Sequence, residues 1–251
     1  MKIPSLNSNS IKPLVKPQWK NFSENDTRRI FEDFRIQNNI LGPLSLGIRD
    51  CNDGFSRLVI EIKNAMGKIF GKEIISLDSH SNAMTGYNIL VEPEYRQKNF
   101  RFGELLRLAS IMEIIENKSP FIYIFSKDTA VYFHGKYKFE PVIKAFEERN
   151  AALETIIHDK SPHFKDLSIK AQNIENQIKA NINNDQKQRN LTKKTNDIVR
   201  EYIKRALEEP NPQKNHPFKR GMDMMLDAET IRRNKDYFNN LFEKHGIDYK
   251  I

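Results

Sequence analysis

The stretch Val91–Ser110 reads VEPEYRQKNFRFGELLRLAS, and the way it divides decides the fold. It begins like the end of a strand, with Pro93 closing it, and finishes like a helix. Leu105, Leu108, Ala109, Met112 and Ile115 fall on one face at spacings of three and four, which predicts an amphipathic helix over 102–117. Between strand and helix lie Arg96, Lys98, Arg101, two phenylalanines and Gly103. The first N–H groups of a helix have no partners inside it. With the helix dipole they favour an anion. Gly103 permits a tight bend or a close approach, and the three cations suit phosphate oxygens. The stretch reads as a phosphate- or pyrophosphate-binding turn. Solvated arginines beside a glycine that packs a helix crossing would leave the same pattern. It is neither the G-x-G-x-x-G dinucleotide fingerprint nor a P-loop, since no G-K-S/T follows.

Working outward, RLVIEIKN (57–64) and KIFGKEIISLD (68–78) read as strands joined by the turn NAMGK, and MTGYNILVEP (84–93) as a third after the polar break SHSN. Short connections predict an antiparallel meander. Upstream, Ile30, Phe31 and Phe34 recur at helical spacing behind Ser23, a capping residue with Asp26 three positions on, predicting a helix near 24–38. LGPLSLGIRD is a short strand or a loop. Residues 1–22, interrupted by Pro4, Pro13 and Pro17, are an extended arm and not a secretory signal. Downstream of the central helix, PFIYIFSKD is an apolar strand, DTAVYFHGKY a short helix and KFEPV (138–142) a last strand cut by Pro141. The order is β-β-β-α-β-α-β, with no strand expected after Val142. From 143 to 251 the spacing is helical, through Phe146, Leu153 and Ile157, then Leu167, Ala171, Ile174 and Ile178, then TNDIVREYIKRALEE. NINNDQKQRN is a loop and the proline-rich stretch 210–217 a linker. DAETIRRNKDYFNNLFEKHG forms a last helix closing at Gly246. The fold class is mixed α/β: a mostly antiparallel sheet with flanking helices and a helical C-terminal extension, divided as 1–22, 23–142 and 143–251.

Composition bounds the function. The 251 residues are 38% apolar, with 16 Phe and 8 Tyr, enough for a real core. Cys51 is the single cysteine, so no intrachain disulfide and no cysteine-based metal site is expected, which suits a reducing cytoplasmic setting. No apolar run reaches 18 residues, and no membrane span is expected. The net charge of +8 is diffuse and reads as a solvated surface; a nucleic-acid partner is not favoured. The histidines form no H-x-x-x-H pair, so no zinc site is expected, and no G-x-S-x-G marks a serine hydrolase.

With these residues in hand, the stretch resembles motif A of the GNAT superfamily of acyl-CoA-dependent N-acyltransferases. There a strand ending V-x-P-x-x-R leads into a pyrophosphate-binding turn, R/Q-x-x-G-x-G/A, and a helix. Val91, Pro93 and Arg96 match the first part. Lys98, Asn99, Phe100, Arg101, Phe102 and Gly103 align with the turn, followed by Leu106. Lys98 stands where Arg or Gln is usual, and Arg101 replaces the first glycine. A second block, N-x-x-A-x-x-F-Y-x-K-x-G-F, aligns with Lys127, Ala130, Phe133, His134, Lys136, Lys138 and Phe139. Ala130, Phe133, Lys136 and Phe139 agree, His134 takes the tyrosine's place and Lys138 the glycine's. The resemblance covers roughly residues 24–142.

The resemblance implies acetyl-CoA as acyl donor and an amine, on a small molecule or a protein, as acceptor. It implies backbone N–H groups of the Ile89–Val91 strand polarising the thioester carbonyl. Glu92 and Glu73 are the candidate bases. His134 is the candidate acid for the departing thiolate, with Tyr132 in reserve. Of Tyr87 and Asn88, at most one lines the acceptor cleft, and His80 is a substrate contact or a solvated loop residue. A homodimer is allowed for. The alternatives are a non-catalytic binding protein of the same fold and, on charge alone, a helical nucleic-acid-binding protein.

Overall fold

The structure, a computed structural model, describes residues 28–35, 43–50, 57–64, 66–96, 100–245 and 247–251; residues 28–35, 43, 45, 49 and 50 are described by backbone alone. The expected arm 1–22, the Ser23 cap, Cys51, Lys98, Asn99 and Gly246 lie outside these residues.

In chain order the elements are β1 (Arg28–Arg35), β2 (Pro43–Asp50), β3 (Arg57–Asn64), β4 (Ile69–Leu77), β5 (Met84–Val91), α1 (Pro93–Arg96), α2 (Phe102–Glu116), β6 (Phe121–Ser126), α3 (Val131–Lys136), β7 (Glu140–Pro141), α4 (Phe146–Ile157), α5 (Lys165–Ala180), α6 (Asp185–Ala206), α7 (Pro212–Asn215), β8 (Met222–Asp227), α8 (Ala228–Arg233) and α9 (Lys235–Lys244). The class is mixed α/β with mostly antiparallel strands and flanking helices, as expected. The described residues fall into two compact units. The first is drawn from Met1–Leu77, Asn88–Asn117 and Ile231–Ile251, and the second from Asp78–Tyr87 and Lys118–Thr230.

In the first unit the strand order is β1-β2-β3-β4, with the end of β5 beside β4. β1 through β4 pair antiparallel, with Ile48 opposite Ile60 and Ile60 opposite Glu73. Leu46, Ile48, Ile60, Ile62 and Ile75 are buried with the α2 residues Leu105, Leu106, Leu108, Ala109 and Met112. The helix expected over 24–38 is instead strand β1. Its register explains the misreading. Shifts fall between Arg29 and Phe31 and between Phe31 and Phe34, so Phe31 and Phe34, three apart, face Leu46 and Leu44, two apart. Bulges of this kind convert helical spacing into strand spacing. The open choice for LGPLSLGIRD resolves as a strand. The C-terminal residues belong to this unit: His245 Nε2 lies 2.8 Å from Glu104 Oε1 on α2, and the Tyr249 hydroxyl donates to Glu116 Oε1 at 2.8 Å. Phe238, Phe242 and Ile247 are buried. The single last helix expected here is two, α8 and α9, parted at Asn234.

In the second unit the start of β5 runs parallel to β6 over Met84–Gly86, and the order continues β6-β8-β7, antiparallel. β8 corrects the expectation that strands cease at Val142. Its alternation, with Met222, Met224 and Leu226 buried and Asp223, Met225 and Asp227 less so, has a strand's period, but methionine lacks the branched or aromatic signature of a strand former. Helix α6 also begins earlier than expected. Asn184 caps it, its side-chain oxygen accepting from Lys187 N at 3.0 Å, so residues 185–190 of the expected loop are helical. α3 meets α6 where Gly135 leaves space for Ile203; a Cβ there would stand 2.6 Å from Ile203 Cγ2.

The linker expected over 210–217 is pinned by a buried polar cluster. His216 Nδ1 lies 2.7 Å from Asp159 Oδ2 and its Nε2 2.9 Å from Glu209 Oε2. The Tyr202 hydroxyl donates to Asp159 Oδ2 at 2.7 Å, and the Tyr132 hydroxyl donates to the His216 carbonyl at 2.6 Å. Phe164, Tyr202 and Phe218 pack around the imidazole and its neighbours. Burial opposes the charge on His216, but the Glu209 and Asp159 carboxylates outweigh it, and its pKa is raised above the ordinary 6.5. No helix among the described residues is long and apolar enough to cross a membrane.

Two predictions follow from this packing. A Cβ at Gly221 would collide with the Ser126 carbonyl oxygen, a backbone atom that cannot swing aside. Gly221→Ala should therefore lower stability by about 1–3 kcal/mol, read as a lower denaturant midpoint at unchanged slope. The second concerns pH. A group whose pKa rises on folding contributes stability that is complete below its unfolded value and is lost as pH climbs through the folded one. The stability advantage of wild type over His216→Gln should be largest below pH 6.5, the unfolded value, and shrink as the pH rises; a difference in melting temperature that is flat across this range would contradict the charged-histidine account.

Candidate functional site

The turn between β5 and α2 is held by aromatic packing within the first unit. Phe70 of β4, Tyr95 of α1, Phe100 and Phe102 are all buried. Tyr95 meets Phe70 edge-on at 5.0 Å and Phe100 at 5.6 Å, and Phe100 stacks on Phe102 at 5.5 Å with ring planes 8° apart. Such pairs add to the burial of the rings themselves. Lys68 closes the edge of the cluster, its Nζ 3.3 Å from Glu94 Oε1 and 3.2 Å from the Tyr95 hydroxyl. The end of β5 is tied on both sides. Glu92 N donates to Phe70 O at 3.1 Å, and Arg96 Nε donates to Val91 O at 2.7 Å, so this arginine brackets the strand end that precedes it. Ile89 and Val91 are half-buried in this part of β5.

Close approach beneath the turn depends on Gly71. A Cβ at that position would lie 3.2 Å from Leu106 Cδ1 and 3.3 Å from Leu90 O, so the missing side chain lets α2 and β5 meet over β4. Arg101, the N-cap of α2, has φ 56° and ψ 29° and offers no side-chain capping bond. This is the left-handed region, which costs an L-residue about 1–2 kcal/mol and which glycine enters freely. The first helical bond runs from Leu105 N to Arg101 O at 3.0 Å. The earlier N–H groups of the first turn therefore have no acceptor within the helix. Arg96 and Arg101 are exposed and Gly103 is half-buried. The one acid in the first turn, Glu104, is engaged by His245 and, at 3.6 Å, by Lys244.

The two candidate bases are placed very differently. Glu92 is exposed, at the exit of β5. Glu73 is 1% exposed beneath α2, its Oε1 3.0 Å from Arg107 Nη1, and the Ser110 hydroxyl donates to its Oε2 at 2.6 Å. Burial pushes the Glu73 carboxyl up, and Arg107 and Ser110 oppose this in part. An ion pair enclosed in this way holds α2 against β4, and removing either partner would strand the other's charge. Sequence reasoning missed Arg107 because it lies within a helical apolar stripe and its partner is on another element.

The second block lies in the second unit. His134, on α3, is 8% exposed, with Phe133 at 5.1 Å and Phe139 at 5.6 Å between ring centroids. Its carbonyl accepts from Tyr137 N and Phe139 N, closing the helix. Lys138, one residue before Phe139, has φ 65°. Tyr132 is 3% exposed and its hydroxyl is committed to the His216 carbonyl, with burial raising its pKa strongly. The structure thus groups Ile89, Val91, Glu92, Arg96, Phe100, Arg101, Phe102, Gly103 and Glu73 in one unit and Tyr132 and His134 in the other. His80 and Tyr87 are exposed.

No protein-family model and no curated protein sequence matches the chain. Solved structures do. A GNAT-family acetyltransferase from Staphylococcus aureus Mu50 is 21% identical over 35% of this chain and 55% of its own, with a TM-score of 0.31. A GNAT-family acetyltransferase from Elizabethkingia anophelis, with acetyl-CoA bound, is 18% identical over 38% and 63%, at 0.32. The PaiA N-acetyltransferase from Thermoplasma acidophilum, in complex with coenzyme A, is 17% identical over 36% and 56%, at 0.30. The chain spans between half and two-thirds of the length of each; the first two are described as acetyltransferases of the GNAT family and the third as an N-acetyltransferase.

Proposed function

We propose that the chain is an acyl-CoA-dependent N-acyltransferase of the GNAT type that moves an acetyl group from acetyl-CoA to an amine. One observation carries the reading. The two motif positions where a basic residue replaces a glycine, Arg101 and Lys138, both have positive φ, 56° and 65°. The chain keeps the backbone conformation for which glycine is suited, at both places, despite carrying side chains there. A chance match of residue letters gives no reason for that agreement.

In this reading the first-turn N–H groups of α2, with Arg96 and Arg101 beside them, hold the pyrophosphate of the donor. The turn fits an anion because its cap brings no side-chain acceptor and its acid, Glu104, is already paired. Backbone N–H groups of Ile89 and Val91 polarise the thioester carbonyl. The neutral amine attacks that carbon, the C–S bond breaks, and the amine's proton passes to a base while the thiolate takes a proton from an acid. Exposure favours Glu92 as the base, and Glu73 is assigned to positioning α2. His134 is the acid by its motif position; Tyr132, hydrogen-bonded to a carbonyl, is set aside. A cytoplasmic setting goes with this reading, since the donor is an intracellular thioester. The same fold without turnover is the second reading, favoured by the packing of His134 between two phenylalanines.

Two measurements test the proposal. Arg101→Glu should weaken acetyl-CoA binding in calorimetry by about 1.5–3 kcal/mol, the scale of a hydrogen bond to a charged group; an unchanged dissociation constant removes the turn as the donor site. His134→Ala should lower kcat by about 10²–10⁴-fold with a smaller effect on KM, and His134→Tyr should recover part of the rate. A wild-type protein that binds acetyl-CoA yet releases no thiol across a broad amine panel would favour the non-catalytic reading.

A further inference from the structure

Within the second unit, the start of α4 and the first two turns of α6 line a shallow, solvent-open cavity of about 480 Å³, in the size range of small-molecule sites. Three of its seven lining residues are cationic. Lys144, Arg149 and Arg189 line it together with a single acid, Asp185, and the Lys144 Nζ lies 5.8 Å from the centre of the Tyr123 ring.

Arg149 is the informative member. It is 5% exposed, yet no carboxylate pairs with it among the described residues. Its Nη1 donates to Thr192 Oγ1 at 3.0 Å and its Nη2 to Gln188 Oε1 at 2.9 Å. The guanidinium lies 5.3 Å from the centre of the Phe146 ring, which is 50% exposed. Its Nε is buried without a hydrogen-bond partner. Neutral partners orient a guanidinium but leave its charge uncompensated, and a buried charge in that condition is costly. The orientation is firm, because the Gln188 amide nitrogen in turn donates to Ile178 O at 3.1 Å and Asn181 O at 2.9 Å at the end of α5. Thr192, whose oxygen accepts from Arg149, keeps its own hydroxyl hydrogen for another acceptor.

We infer that this cavity is a binding site for a small phosphomonoester, with Arg149 as the fixed anchor of the phosphate, Lys144 and Arg189 as flexible outer cations, Thr192 as a hydroxyl donor and Phe146 as the apolar wall. The charge balance selects the class. Three cations against one carboxylate leave a net charge of two, which matches a phosphomonoester dianion near neutral pH better than a carboxylate. A planar guanidinium held at fixed orientation also suits a phosphate's several oxygens. The half-exposed Phe146 ring offers a surface for an apolar or aromatic portion of the ligand. Burial lowers the Arg149 pKa, as expected of a cation without a counter-ion. The site stands on different residues from the β5–α2 turn and does not depend on the acyltransferase reading.

The test uses the full chain with phenyl phosphate, inorganic phosphate and benzoate as probes, at a fixed ionic strength of about 0.15 M so that screening is common to all. Phenyl phosphate should bind one to one with a dissociation constant of about 1 mM or tighter, more tightly than inorganic phosphate and much more tightly than benzoate. Lys144 and Arg189 side chains are peripheral, so Lys144→Gln with Arg189→Gln should stay folded and weaken phenyl phosphate by about 10-fold or more. Arg149→Lys, which keeps the charge and removes the fork, should weaken it at least as much, and Arg101→Glu should still bind it. The inference is overturned if phenyl phosphate shows no saturable binding, if benzoate binds as well, if the Lys144/Arg189 double variant binds like wild type, or if Arg101→Glu abolishes the binding.

Discussion

The close approach at Gly71 is the constraint that governs how α2 and β5 meet over β4 in the first unit. With a hydrogen there, Leu106 of α2 and the Leu90–Val91 end of β5 converge over β4. The rings of Phe70, Tyr95, Phe100 and Phe102 pack on one another in the same unit. Arg101, next to Phe100 and Phe102, adopts the left-handed conformation. An interior packed at crystal-like density can hold a residue in such a conformation because relaxing it would open voids around four rings. The local cost at Arg101 is thus offset by packing elsewhere, and the result is a helix start that a polar side chain does not cap.

Two buried ionic arrangements show how differently charge is managed. Glu73 and Arg107 form an enclosed ion pair beneath α2, between that helix and β4. His216 sits between Asp159 and Glu209 and joins three separate parts of the second unit, the end of α4, the end of α6 and the stretch before β8. Against these, Arg149 stands out because its partners are a threonine and an amide. Among the described residues Arg107 and His216 have carboxylate partners and Arg149 has none, which is what directs attention to an external anion.

Much of the organisation was legible in the chain itself. The strands near 57–64, 69–77 and 84–91, helix α2, the short helix carrying His134 and the helical character after 143 all follow from periodicity. The strand–turn–helix stretch was legible too, down to Arg101 in a glycine position. β1 was not, because bulges spaced its phenylalanines as a helix would. β8 was not, because a methionine-rich alternation carries little propensity. The start of α6 depended on one asparagine cap within a polar run that looks like a loop.

What the sequence alone determined is therefore local: period, breaks, caps and the letters of two motifs, each set by residues within a turn or two of one another. The tertiary structure decided everything that needs partners distant along the chain. It buried Glu73 with Arg107 and left Glu92 exposed, though the two are alike as letters. It committed the Tyr132 hydroxyl to a carbonyl 84 residues away. It placed Arg149 against residues 39 and 43 positions on, with no acid among them. The physical reason is that ionisation, hydrogen bonding and access depend on what surrounds a side chain in space, and propensity is blind to neighbours that only folding brings together.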